Sequence, residues 1–226
     1  MALILSIETA TKVCSVALAI DSKLVMVRES KTEHFSHSEN LTIFIESLFS
    51  EVDFNLGDLD AIAMSMGPGS YTGLRIGVST VKGLAYGLSV PVIGIGSLEA
   101  LSALSIHKGQ YLLCPMFDAR RMEVYSAVFD QANIMVEAVE AKVIEPDAFQ
   151  NFLADQAVVF LGPGAEKCQS AITHPNAIFE LETEVSARGM IALAEEKYRL
   201  KQFENLAYFE PFYLKDFIAG KPKKLL

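Results

Sequence analysis

Two Gly-Pro-Gly turns, Gly67-Pro68-Gly69 and Gly162-Pro163-Gly164, each close an apolar run, "DAIAMSM" (60–66) and "AVVFL" (157–161). The segments upstream correspond as well. "ETATKVCSVALAID" and "DARRMEVYSAVFD" both start on an acid at the end of an apolar strand, pass through a polar turn, and end an alternating strand in Asp. Matching order across successive elements is the mark of an internal duplication. Gly-Pro-Gly alone is common turn chemistry and proves little.

The rest of the pattern fits a repeated β-β-β-α-β-α unit. In the first half, "LILSI" (3–7), "VCSVALAID" (13–21) and "KLVMVRES" (23–30) read as strands, with a tight turn at Asp21-Ser22. Ser36 or Ser38 can cap a helix through about Val52 whose inner stripe is Leu41, Ile45, Leu48 and Val52. A buried strand (60–66), a glycine-rich helix (71–88), a strand (90–96) and a helix capped by Ser97 follow. The second half offers strands at 111–118 and 122–130 and in "NIMVEAVEAKVI", a helix at 147–154, a strand at 157–164, and a long helix from about Ser186 to Lys201. The expected fold is α/β, two-lobed and actin-like (ASKHA), with mixed sheets. The first lobe is expected over 1–103 and the second over 104–226, with the last residues candidates to pack back on the first.

At 226 residues with 51% hydrophobic and 21% charged residues, the chain can build a substantial core. No apolar run is long enough to span a membrane. "MALILSIETA" lacks a basic leader and reads as a first strand, not a signal peptide. Cys14, Cys114 and Cys168 are scattered, which suits a reducing cytoplasm and argues against a disulfide framework or a zinc site. A formal charge of −9 repels phosphate backbones, so RNA is not expected to bind the lone chain. The exception is "KDFIAGKPKKLL", where Lys215, Lys221, Lys223 and Lys224 gather. A solvated end is its ordinary reading; an auxiliary contact to RNA or to an acidic partner is the alternative.

The first glycine loop is not a Walker A motif. Gly73 is followed by Leu74-Arg75, without the lysine and hydroxyl that phosphate and Mg²⁺ require. Ser70 or Thr72 can cap the helix. With Gly67 and Gly69 giving clearance, the N–H groups at its start are candidates to hold an anion. A purely structural turn is the equal alternative. Glu8, Thr9 and Thr11 in the first hairpin turn are candidate contacts for phosphate or water-bound Mg²⁺. Asp118 with Arg120 and Arg121 forms the equivalent turn in the second lobe, where a weak surface ion pair is the ordinary reading and contact with a nucleotide, or steering of an anionic ligand or partner, the minority one. Gly73, Gly77, Gly83 and Gly87 each cost the helix roughly 1 kcal/mol relative to Ala. Their repetition suggests close approach of another backbone, within the chain or from another subunit. His34 and His37, beside Glu33 and Glu39, make a conceivable but poorly spaced metal pair, with solvation the stronger reading. His107 and His174 are isolated, and no nucleophile signature stands out.

"LSIETATKVCSVAL", "MGPGSYTGLRIGVSTVKGLAYGLSVPVIGIGSLEAL" (66–101) and "FDARRMEVYSAVF" (117–129) together resemble the bacterial TsaB family, also called YeaZ, and "FEPFYLKDFIA" fits its C-terminal end. The resemblance implies the actin-like fold. It also implies a role as the non-catalytic paralogue and partner of TsaD in making N6-threonylcarbamoyladenosine (t6A) at position 37 of tRNAs that read ANN codons, with the ATPase TsaE completing the set.

In the catalytic paralogue an H-x-x-x-H metal motif follows the strand after the glycine-rich helix. Matching its Glu to Glu99 puts Ser97 and Leu101 at the ligand positions, and neither can replace a histidine. The resemblance further implies that the chain meets TsaD, or a second copy of itself, through its first-lobe helices: Leu41, Phe44, Ile45 and Leu48 on one, and Gly73, Leu74, Gly77, Val81 and Leu84 on the other. A charge at Leu74 or Phe44, or an arginine at Gly77, is then expected to abolish partner binding while leaving the monomer folded. No cofactor is expected on the isolated subunit; ATP or ADP and a metal belong to the assembled complex, and tRNA is met only through it. The rival readings are an independent ATP-binding enzyme of the actin-like superfamily and, on an older family label, an M22-type metallopeptidase.

Overall fold

The computed structural model describes residues 1–31, 37–107 and 109–215, residue 37 by its backbone only. The first sheet contains β1 (Leu3–Glu8), β2 (Val13–Ile20), β3 (Lys23–Lys31), β4 (Ala61–Gly67) and β5 (Val92–Gly96), in the order β3-β2-β1-β4-β5. β1–β2 and β2–β3 are antiparallel; β1–β4 and β4–β5 are parallel. The second sheet contains β6 (Tyr111–Asp118), β7 (Glu123–Phe129), β8 (Met135–Val143), β9 (Ala157–Leu161) and β10 (Ala177–Glu180), in the order β10-β9-β6-β7-β8 with the same pairing senses. The strand plan is therefore the same in both lobes, which is the duplicated actin-like fold.

The helices differ between the lobes. The first carries α1 (His37–Ser50) and α2 (Tyr71–Leu88) on one face. α3 (Ser97–Ser102) begins at Ser97, so Gly96 takes the cap position expected for Ser97. At the places corresponding to α1 and α2, the second lobe has α4 (Gln150–Leu153) and a 3-10 turn (Glu166–Cys168). The expected helix over 147–154 is cut to α4 because Phe149 takes a left-handed conformation (φ 62°) just before it. β10 is an addition to the expected elements, and the helix expected from Ser186 opens as a 3-10 turn (Ala187–Met190) before α5 (Ile191–Arg199).

β1 is buried on both faces, as a central strand with layers above and below must be. Leu5, Ile7, Leu18, Ile62 and Met64 pack under α1 and α2. The opposite face is lined by small residues (Ala17, Ala19, Ala61, Ala63), and Met190, Ile191 and Ala194 lie on it. Gly189 has to be glycine there, because a β-carbon would run into the Ala100 carbonyl. The first core continues into the second lobe through Leu98, Leu101, Phe117, Phe129 and Leu161. After α5 the chain returns along the first lobe. Glu204 bridges to Val92 at the sheet edge, Lys82 Nζ donates to the Ala207 and Phe209 carbonyls at 3.1 and 2.9 Å, and the Phe212 N–H donates to the Met66 carbonyl at 2.7 Å. Among the described residues no helix is long and apolar enough to cross a membrane.

Candidate functional site

The first hairpin turn and the glycine loop, expected to flank a ligand, pack on each other instead. The Ser70 N–H donates to the Ala10 carbonyl at 2.6 Å, and a β-carbon on Gly69 would sit 2.5 Å from that oxygen. The Gly67 N–H is held by Ser97 Oγ at 3.0 Å, and the Gly73 N–H by Ser70 Oγ at 3.2 Å. Ser70 is thus the helix cap. Gly67, at φ 120°, is pressed from outside by the Phe212 carbonyl. Gly67, Gly69 and Ser70 therefore serve the chain's own close packing, and the anion reading of these positions is corrected accordingly.

Glu8 and Thr9 are fully buried, so their expected contact with ligand is corrected too. Glu8 Oε1 accepts from the Ala10 N–H and from Ser65 Oγ; Oε2 has no hydrogen-bond partner, nor has Thr9 Oγ1. Burial pushes the Glu8 carboxyl up to about 7, against the opposing pull of those two donors. Thr11, half-buried, accepts from the Val13 N–H at 3.2 Å and closes the turn. Burial also raises the thiols of Cys14 (to about 11), Cys114 and Cys168, which makes them poor nucleophiles.

The second-lobe turn is open to solvent. Lys167 Nζ donates to Asp118 and, at 2.7 Å each, to the Arg121 and Glu123 carbonyls. Against the upward push of partial burial, Lys167 and the Arg120 N–H hold the Asp118 carboxyl below its ordinary range. Arg120 and Arg121 are exposed at the tip. His107, isolated in sequence, has Nδ1 2.7 Å from Glu180 Oε2; Ser105 Oγ donates to the same oxygen at 2.8 Å. That cluster pins the connection between the lobes, and no local sequence signal marks it. Glu33 and His34 lie outside the described residues, as do Lys221, Lys223 and Lys224.

Leu41, Ile45, Leu48, Leu74 and Val81 are buried in the chain's own core, and Gly73 and Gly77 are buried with them. A β-carbon on Gly77 would strike Met64 and Thr9. These residues cannot face a partner, and a charge at Leu74 or an arginine at Gly77 would break the fold. Phe44 and Leu84 are half-buried. The outer faces of α1 and α2 present Ile43 (57% exposed) and Tyr86 (82% exposed). Gly83 and Gly87 are exposed, and a β-carbon on either would meet nothing within 4 Å, so the chain's own packing does not require them. Between the helices runs a groove of about 360 Å³ lined by Ile45, Phe49, Leu56, Thr80 and Leu84.

A family described as "TsaD: tRNA N6-adenosine threonylcarbamoyltransferase" matches residues 31–222. The tRNA threonylcarbamoyladenosine biosynthesis protein TsaB of Bacillus subtilis is 34% identical over 70% of this chain and 70% of its own. The chain belongs to the TsaB family. The Haemophilus influenzae TsaB is 28% identical over 96% of this chain and 95% of its own, and the structure of YeaZ from Pseudomonas aeruginosa superposes with a TM-score of 0.77 at 26% identity, covering 95% of this chain and all of that one. TsaB membership supports a role in t6A biosynthesis.

Positions 97 and 101 are the two that the resemblance sets against the metal-ligating histidines of the catalytic paralogue. In this TsaB family chain both have structural roles. Ser97 is fully buried and its Oγ holds the glycine loop. Leu101 is fully buried where the lobes meet, pressed on Gly162 of the second Gly-Pro-Gly turn. Gly162, at φ 93°, has no room for a β-carbon beside the Leu101 side chain.

Proposed function

We propose that this chain is a non-catalytic scaffold and activating subunit of the complex that forms t6A at position 37 of ANN-decoding tRNAs. It binds and activates a TsaD-type threonylcarbamoyltransferase, alongside a TsaE-type ATPase. The observation that carries this reading is the pair Ser97 and Leu101. A hydroxyl and an alkyl chain cannot take the place of two imidazoles, and both side chains are built into the chain's own packing. Nucleotide and metal chemistry is then the partner's, and tRNA is met in the assembled complex. The reading carries with it a cytoplasmic location.

The partner surface is the outer side of α1 and α2: Ile43, Phe44, Leu84 and Tyr86, with Gly83 and Gly87 leaving a side-chain-free strip for a close helix. Tyrosine beside apolar residues is the composition of an interface centre. In the absence of the partner, the same surface pairs two copies of the chain. Co-purification with a TsaD-type subunit tests this. Tyr86→Glu and Gly83→Arg are expected to abolish the complex while leaving the thermal melt of the free chain unchanged. An intact complex in both variants would overturn the assigned surface, and failure of the wild-type chain to associate would overturn the function.

A further inference from the structure

The chain passes between the lobes outward at 103–110 and returns at 181–186. A two-lobed protein closes on a ligand by changing φ and ψ at a few residues of such crossings. Here the two crossings are tied to each other. Glu180 is the last residue of β10, at the start of the return crossing, and is 5% exposed. Its Oε2 accepts from Ser105 Oγ at 2.8 Å and lies 2.7 Å from His107 Nδ1. Its Oε1 accepts from the Ile106 N–H at 3.3 Å and from Thr183 Oγ1. Three partners thus come from the outward crossing and one from the return crossing. Against the upward push of burial, Thr183, His107, Ser105 and Ile106 hold this carboxyl below its ordinary range.

The tie extends into rigid elements on both sides. The Ala103, Leu104 and Ser105 N–H groups donate to the carbonyls of Glu99, Leu101 and Ser102 at 3.3, 3.1 and 3.2 Å, so the helical turns of α3 run on to Ser105. Asn133 Nδ2, in the β7–β8 turn, donates to the Glu99 carbonyl at 3.3 Å. The far end of the return crossing is fixed to β3 of the first lobe. Lys31 pairs with Glu184 there, and Ser186 Oγ donates to Glu29 Oε2 at 2.7 Å. A series of hydrogen bonds therefore runs from α3 through Ser105 and Glu180 into the second sheet. The other ties between the lobes are less directional. Apolar contact among Leu98, Leu101, Phe117, Phe129 and Leu161 tolerates small sliding. The Lys215–Glu123 ion pair is open to water and worth little.

We infer that Glu180 is a latch that fixes the angle between the two lobes, so that this chain holds one conformation and does not open and close. The latch goes beyond the proposed function and does not depend on it. A rigid two-lobed body suits a scaffold, whereas an enzyme that closes on ATP needs its crossings free.

The test places nitroxide labels at Glu46→Cys in α1 and Asn151→Cys in α4, both exposed positions, and reads the distance between the lobes by pulsed electron paramagnetic resonance. The native Cys14, Cys114 and Cys168 are buried, and a sample without the two substitutions corrects for any label they take. With Glu180 intact, the labelled chain should give one narrow distance distribution that millimolar Mg-ATP leaves unchanged. Glu180→Ala, with a cooperative melt retained, should broaden that distribution. Deuterium exchange at the Ile106 amide should then accelerate by about tenfold or more, because its charged acceptor is gone. Ser105→Ala removes one donor and leaves the carboxylate its other three, so it decides the matter if Glu180→Ala does not fold. The same broadening, smaller in degree, is expected of it. A distribution as narrow in the folded variants as with the latch intact would overturn the inference. So would a distribution that is already broad with Glu180 in place, or one that shifts with Mg-ATP.

Discussion

Replacing Glu8 by glutamine should change how stability depends on pH more than it changes stability at any one pH. The folded carboxyl is raised from 4.5 to about 7 by burial. Between those values the folded chain holds a proton that the unfolded chain has released. Stability from this group is therefore fully present below about 4.5 and is lost as pH rises through about 7. At about 1.4 kcal/mol per pH unit, the loss amounts to about 3 kcal/mol. A glutamine side chain stays neutral and can keep the acceptor used by the Ala10 N–H and Ser65 Oγ, while its amide nitrogen meets the unpartnered place of Oε2. That second effect destabilises by an amount that does not vary with pH. Asp118 works in the opposite direction, since its lowered value gives stability that disappears in acid, but it is common to both proteins and cancels in the difference. Urea unfolding of wild type and Glu8→Gln from pH 4.5 to 8 should show the gap closing, or reversing in favour of the variant, by about 3 kcal/mol. A difference constant across that range would refute the buried, proton-holding state of Glu8.

Other outcomes follow from the same packing. Leu101→Ala should lower stability by about 3 kcal/mol or more, because it opens a cavity where the lobes share a core; a loss below about 1 kcal/mol in urea melts would show that the lobes do not lean on that residue. Gly77→Ala should destabilise by about 1–3 kcal/mol, since its methyl group would meet Met64 and Thr9. Gly83→Ala, with open space around it, should stabilise the free chain by about 1 kcal/mol. Thermal melts shifting the same way in both alanine variants would contradict this division of the helix.

Strands announced by continuous apolar runs, such as "LILSI" and "DAIAMSM", were legible because a central strand buried on both faces needs such a run. α2 was legible at both ends, since Ser70 caps it and it stops at Ser89 in the left-handed region. β10 was not, because four residues of half-buried edge strand carry too short a pattern. The glycines of α2 were visible but their purposes were not. Gly77 clears Met64 and Thr9 within the chain while Gly83 faces outward, and nothing in local sequence separates the two. Glu8 illustrates the same limit, for an acid ending a strand reads as solvent-facing until Ser65 and Ala10 close over it. Positions 97 and 101 were informative because their residue types alone are incompatible with metal ligation, whatever the packing.

The most direct test is threonylcarbamoylation of tRNA in vitro by TsaD-type and TsaE-type proteins, with and without this chain. Modified adenosine should accumulate over many turnovers only when the chain is present, and the chain alone should form none. Modification by the chain alone, or an unchanged rate when it is left out, would contradict its role as an activating, non-catalytic subunit.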